Sequence, residues 1–315
     1  MRKFEKPYLI SSKCIEFEPC RYNGLIIKNS LVENLKEYAE FQPVCPEVGI
    51  GLGVPRDPVR VVETSNEIEL FQPATGKKFS HEMNKFSESF LNSVKTVDGF
   101  ILKNKSPSCG VKAINVFTSF EDSRPKKDGV GIFAKKVMEK FSNIPVEDEG
   151  RLRNLFIREN FLTKIFTNAD FRKVRSDGFQ AILNFHTKNK LLLMSYSPEN
   201  TRKMGQILSD RHENSLKEIQ DEYEYLLFET LSKTHKVSLN INVLMHALGY
   251  FSKRLSHDEK DFFLDTLNEY KDGRIPLLIC LNMIKLWIIR FDQDYLVKQT
   301  FFEPYPRDLM HITFI

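Results

Sequence analysis

The chain predicts an α/β domain, Rossmann-like with a mostly parallel sheet, followed by an all-α domain. Three observations carry that expectation. Across residues 1–143, short β-branched runs alternate with runs of helical spacing, the pattern of strand–helix–strand units. Beyond residue 150 the strand pattern stops and apolar residues recur at helical spacing almost to the end. Between the two lies Pro145-Val146-Glu147-Asp148-Glu149-Gly150, an acidic stretch bounded by Pro and Gly that reads as a linker. Domains are therefore expected at 1–143 and 151–315. A chain of 315 residues is long for one core and fits two.

Tyr8-Leu9-Ile10 opens the first domain as a strand, and residues 30–41 follow as a helix. Residues 59–63 form the next β-branched run, and 80–97 show helical spacing again. Gly99-Phe100-Ile101-Leu102 is a further strand that runs into the turn Ser106-Pro107-Ser108-Cys109-Gly110, and 113–118 is a fourth. In parallel sheets ligands bind at the carboxyl ends of strands. Cys14 and Cys109 sit in peptides that directly follow expected strands, so both fall on the face where a site belongs. In the second domain helices are expected at 151–168, 171–195, 198–234, 239–252, 257–272 and 276–291. Pro198 and Pro276 suit first-turn positions, and Ser256 with Glu259 forms a capping box. No internal repeat or low-complexity tract interrupts this plan.

Composition excludes several classes. With 41% hydrophobic residues the chain can bury sizeable cores. Its 46 basic and 42 acidic residues leave a net charge of +4, a weak excess for a dedicated nucleic-acid binder. The first eight residues are basic but lack the apolar stretch of a signal peptide. The most apolar region, 275–289, is interrupted by Asn282 and Lys285 and is too short to span a bilayer. The expectation is a cytoplasmic protein without a membrane partner. In a reducing compartment, grouped cysteines are ligands or reactive thiols rather than disulfides.

Four of the five cysteines fall in the first 109 residues. Cys14 lies in Ser11-Ser12-Lys13-Cys14, Cys20 heads Cys20-Arg21-Tyr22-Asn23-Gly24, and Cys45 opens Cys45-Pro46-Glu47. Cys109 completes the Ser106–Gly110 peptide. No paired Cys-x-x-Cys unit exists, so spacing leaves open a metal or cluster site and buried structural thiols. Pro or Gly beside a cysteine fixes a turn that can aim sulfur and backbone N–H groups inward. Glu47, two residues after Cys45, is either a general acid–base group or a surface carboxylate. Ser106 and Ser108 can hold a water or a substrate carbonyl, or simply stabilise their turn. Arg21, Arg56 and Lys103 are candidates for contacting substrate, with structural ion pairing as the other reading. The stretch Gly49-Ile50-Gly51-Leu52-Gly53-Val54 lacks glycine at Val54, so it fails as a dinucleotide loop. No His-Glu-x-x-His pattern exists, and His186, His235 and His246 stand apart.

Taken together, these peptides resemble the DUF523 family, which includes the thiouracil desulfurases. The motifs are Ser12-Lys13-Cys14, Cys45-Pro46-Glu47, Gly51-Leu52-Gly53-Val54-Pro55-Arg56, and Phe100 to Lys103 with Ser106 to Gly110. The second half resembles the DUF1722, or YbgA-like, domain through Phe185-His186-Thr187-Lys188-Asn189-Lys190-Leu191-Leu192-Leu193-Met194, His246-Ala247-Leu248-Gly249-Tyr250 and Pro304-Tyr305-Pro306. The first resemblance implies a [4Fe-4S] cluster on Cys14, Cys45 and Cys109 with one iron open, and Cys20 as a neighbour or additional ligand. It implies an iron–sulfur desulfurase that hydrolyses the thiocarbonyl of a 2-thiouracil-like base, with Glu47, Ser106 and Ser108 catalytic and a small thio-base as substrate. The alternative is a non-catalytic metal or cluster module whose helical domain binds RNA or a protein. One departure stands out: the chain reads Lys13-Cys14-Ile15-Glu16-Phe17 where the family usually has a small residue, Cys, Leu, Leu or Ala, and Gly, and the lost glycine and added Glu16 bear on the shape of the substrate pocket.

Overall fold

A computed structural model describes residues 2–64, 67–121, 124–210, 215–234 and 236–310. His235 lies outside them. The backbone divides into two compact units, one running to Ala169 and resuming at Pro306, the other spanning Asp170–Tyr305.

The first unit begins with strand β1 (Tyr8–Ser12), helix α1 (Ser30–Tyr38), strand β2 (Glu40–Val44) and the single-turn α2 (Pro46–Gly49). Then come β3 (Arg60–Glu63), β4 (Ile68–Gln72), β5 (Lys77–Lys78), α3 (Ser80–Ser93) and β6 (Gly99–Leu102). Strands β7 (Ile114–Phe117) and β8 (Lys126–Gly129), helix α4 (Ile132–Lys140), strand β9 (Val146–Asp148) and the start of α5 (Leu155–Ser176) complete it.

Strands β2-β1-β6-β9 form a sheet in that order, every pair parallel. All four residues of β6 are buried, as a central parallel strand requires. Leu9, Ile10, Phe100, Ile101 and Leu102 are buried in its centre, while Phe133, Ala134 and Val137 of α4 cover one face. At full burial each such side chain is worth about 1.5–3 kcal/mol. Strand order reverses about β1: β2 lies on one side and β6 on the other. That is a topological switch point, where doubly wound sheets open a crevice beyond the strand ends. The acidic segment read as a linker carries β9, which pairs with β6 and closes the sheet edge.

A second sheet, β5-β4-β3-β7-β8, was not foreseen as separate. The 59–63 and 113–118 runs belong to it, with β3 parallel to β7 and the remaining pairs antiparallel.

The second unit is helical: α6 (Phe179–Tyr196), α7 (Pro198–Ser209), α8 (Leu216–Ser232), α9 (Val237–Gly249), α10 (His257–Lys271), α11 (Leu277–Arg290) and α12 (Asp294–Val297). The expected break after residue 168 falls instead at Gly178, where φ of +90° and extended ψ suit only glycine. The run expected at 198–234 is two helices, because Ser215 and Glu218 form a capping box that starts α8 afresh. Pro198 and the Ser256–Glu259 box sit as expected. No helix among the described residues is long and apolar enough to cross a membrane.

Within this unit the Tyr223 ring stacks on Phe171 at 5.4 Å and meets Phe185 edge-on. His186 Nδ1 lies 3.2 Å from the buried Tyr223 hydroxyl. Burial, with Lys190 nearby, lowers the His186 pKa from 6.5 to about 4. The unfolded chain therefore takes up a proton near pH 6.5 that the folded chain refuses until about pH 4. His186 thus contributes stability that is present above pH 6.5 and lost as pH falls toward 4. Urea unfolding at pH 7 and pH 5 should show wild type losing on the order of 1–2 kcal/mol more than His186→Gln over that interval. Equal losses in both proteins would refute the assignment.

Candidate active site

Three loops leave the carboxyl ends of the adjacent strands β2, β1 and β6, and each brings a cysteine. Cys14 follows Ser12, the last residue of β1, by two positions. Cys45 comes directly after β2, in extended backbone immediately before α2. Cys109 ends the loop that begins at Lys103, after β6. Cys14, Cys20, Cys45 and Cys109 line one cavity of about 520 Å³, together with Glu47, Arg21, Arg56, Lys103 and Ser106. Cysteines far apart in sequence thus converge because parallel strands end side by side.

Each loop is tied down by its own sequence. Ser106 Oγ accepts from the backbone N–H groups of Ser108 (3.2 Å) and Cys109 (3.0 Å), forming the turn that presents Cys109. The same turn is clasped by the start of α4, whose Ile132 and Ala134 N–H groups donate to the carbonyls of Pro107 and Ser108. Gly131 passes so close that a Cβ would lie 2.5 Å from the Ser108 carbonyl oxygen, which only glycine permits. Ser12 Oγ accepts from the Lys103 N–H at 2.9 Å and joins the β1 and β6 loops.

Glu47 occupies the middle of this arrangement. Its Oε2 accepts from Arg56 Nε at 2.9 Å and Nη2 at 2.6 Å. Its Oε1 accepts from Ser108 Oγ at 3.0 Å and, more weakly, from Ser106 Oγ at 3.5 Å. The two side chains of the pair are only 12% and 6% exposed, so water screens them little. Arg56 Nη1 also donates to the carbonyls of Cys20 and Gly53, which fixes the Cys20 loop against Glu47. Lys103 pairs with the buried carboxylate of Glu149, whose other oxygen accepts from the Asn104 N–H at 2.7 Å. Arg21 has no carboxylate partner among the described residues and lies against the Tyr22 ring.

Three of the thiols are pushed toward the protonated form. A hydrogen bond with Cys20, then burial, pushes the Cys45 pKa up, although the Val48 N–H works the other way. Burial pushes Cys109 up, with Ser12 and Ser106 opposing. Cys20 is pushed up to about 11, chiefly by Cys14. Four thiols lining one cavity, none in a disulfide, suit thiolate ligation of a soft metal centre. Among the described residues no three His, Cys, Asp or Glu groups converge on one point, as a single ion would need. A cubane cluster makes no such demand, because each thiolate binds a different iron.

Sequence reasoning missed Glu149, hidden inside the supposed linker, and the wall formed by Asn115 of β7 and by Pro58 and Val59, which precede β3. Glu16 is not among the residues that line the cavity. Its backbone is left-handed, with φ of 63°. Its buried carboxylate turns away to the Asn29 N–H and to Lys28.

A doubly wound α/β unit with a thiol-lined crevice at its switch point, followed by a helical unit, is the class that fold and site define. Residues 9–149 match the family model described as 2-thiouracil desulfurase. Residues 190–306 match that of DUF1722, a protein family of unknown function. The two matches fall in successive parts of the chain, the first on the α/β region and the second on the helical one. Among curated proteins it is 28% identical over 152 residues to the uncharacterized YbgA of Escherichia coli K12, covering 47% of this chain and 90% of that one. It is 27% identical over 109 residues to the uncharacterized YbbK of Bacillus subtilis, covering 32% and 72%. Among solved structures, the [4Fe-4S]-dependent thiouracil desulfidase TudS aligns at 25% identity, covering 49% of this chain and 98% of that one, with a TM-score of 0.40.

Proposed function

We propose that this protein is an iron–sulfur-dependent desulfurase that replaces the thiocarbonyl sulfur of a 2-thiouracil-like base with oxygen. The observation that carries this reading is the meeting of Cys14, Cys45 and Cys109 with Glu47 and Ser106 around one cavity. The three cysteines would hold a [4Fe-4S] cluster, with Cys20 beside Cys14 and Cys45 as neighbour or reserve ligand. Bound there, the cluster supplies an iron with an open position, a soft Lewis acid that draws electrons from thiocarbonyl sulfur. Glu47 takes the proton from the attacking water at Oε1, the oxygen that Ser106 and Ser108 hold in place. Arg56 keeps that carboxylate aimed, Lys103 braces the Ser106 loop through Glu149, and Arg21 and Lys105 are the lining cations without a carboxylate partner among the described residues, free to meet substrate. Thiocarbonyl and water give carbonyl and hydrogen sulfide, so no electrons are transferred overall.

Anaerobically purified protein should be brown and contain about four irons per chain. Supplied with 2-thiouracil, it should release sulfide and uracil in equal amounts. Iron-loaded protein that releases no sulfide from any thiopyrimidine would refute the reading.

A further inference from the structure

The cavity's polar side chains differ in how far their hydrogen bonds are already committed. Ser12 and Ser106 accept from backbone N–H groups of the β6 loop. Glu47 is held by Arg56 and Ser108, Lys103 by Glu149, and Lys13 by Glu18. The Asn104 amide is turned onto Gly150, where even an added Cβ would strike its nitrogen. Arg21, Tyr22, Lys105 and Asn115 line the cavity with side chains that have no hydrogen-bond or ion-pair partner among the described residues, as does Asn104, whose amide is packed against Gly150. Arg21 and Lys105 can only donate. Asn115 carries a donor and an acceptor side by side.

The Asn115 side chain is exposed, on a backbone that the sheet holds in place. In β7, Ile114 and Val116 are buried against Val61 of the second sheet, so strand alternation sends Asn115 to the opposite face. The backbone is fixed between β3 and β8, and the pairing register shifts between Ile114 and Asn115. Such an irregularity re-aims a side chain next to a site. Ala113, just before it, has a φ of 54°, a further sign that this stretch is bent for a purpose other than pairing.

We infer that Asn115 reads the lactam edge of the pyrimidine, pairing its amide with the ring N3–H and the neighbouring carbonyl. An Asn amide makes this kind of two-point contact with base edges in nucleic-acid recognition. N3 lies between C2 and C4. Whichever carbon bears sulfur and turns toward the cysteines, N3–H and the other carbonyl still form a donor–acceptor pair. The inference rests on the proposed thiopyrimidine substrate, and it assigns the base-reading group to the second sheet rather than to the cysteine loops.

Uracil is the probe, because it needs no iron contact. Calorimetric titration of the full chain should show Asn115→Leu and Asn115→Asp each binding uracil about tenfold or more weakly than wild type, the effect of leaving a hydrogen-bonding group unpaired. 3-Methyluracil, whose N3–H is blocked, should bind wild type as poorly as uracil binds Asn115→Leu. Unchanged uracil affinity in Asn115→Leu, equal affinity of wild type for uracil and 3-methyluracil, or no uracil binding by wild type would each overturn the inference. Sulfide release assayed alongside separates the two readings. Asn115-dependent uracil binding without turnover would sink the desulfurase reading alone, whereas turnover with unchanged affinity in Asn115→Leu would sink only this one.

Discussion

Cys14→Ser, Cys45→Ser and Cys109→Ser should each reduce bound iron from about four atoms per chain to near none. Each cysteine stands on a separate loop, and none has another thiol on its own loop apart from the Cys14–Cys20 stretch. Losing one therefore removes one of only three anchors. Serine is close to cysteine in size but binds soft iron poorly, so far-UV circular dichroism should stay unchanged while iron and visible absorbance disappear. Cys280→Ser is the internal control. Its sulfur is buried in the helical unit, 3.9 Å from the Thr266 carbonyl, and iron content should not change. Cys20→Ser should keep its iron, since three thiolates remain; loss there would make Cys20 a ligand. Full iron in Cys45→Ser would refute the ligand set. Because folding raises the Cys45, Cys109 and Cys20 pKa values, loading must release protons. Iron retention should accordingly weaken as pH is lowered.

The parallel sheet was legible because its central strands are continuous apolar runs, and β6 is buried along its whole length. β2 was not, since Glu40 and Gln42 give it a half-polar pattern and Pro43 argues against a strand. β9 was hidden for a similar reason: Glu147 and Asp148 look like linker residues, yet Asp148 is buried and caps the next turn by accepting from the Gly150 and Arg151 N–H groups. The cysteines announced themselves through their Pro/Gly neighbours. The partners that hold the site did not, because the pairings of Glu149 with Lys103 and Glu47 with Ser108 join residues 46 and 61 positions apart. Asn115 carried no sequence signal at all: an Asn in a short strand gains meaning only when the sheet is placed beside the cavity.

Glu47→Gln should keep its iron and lose roughly 10²–10⁴-fold in turnover of 2-thiouracil, the usual worth of a positioned proton acceptor. The substitution preserves shape and leaves the Ser106 and Ser108 hydroxyls an oxygen to meet, but it removes the base. It also leaves the Arg56 guanidinium, 6% exposed, without its counter-charge. Breaking one side of a buried pair costs about 3–5 kcal/mol, so a lower melting temperature is expected and activity must be read well below it. The double variant Glu47→Gln/Arg56→Gln removes the stranded charge and should recover part of the stability while turnover stays low. Recovery of turnover along with stability would make Glu47 a brace for the Cys45 loop rather than the base. Glu63→Gln, at an exposed position at the end of β3, should change none of these quantities.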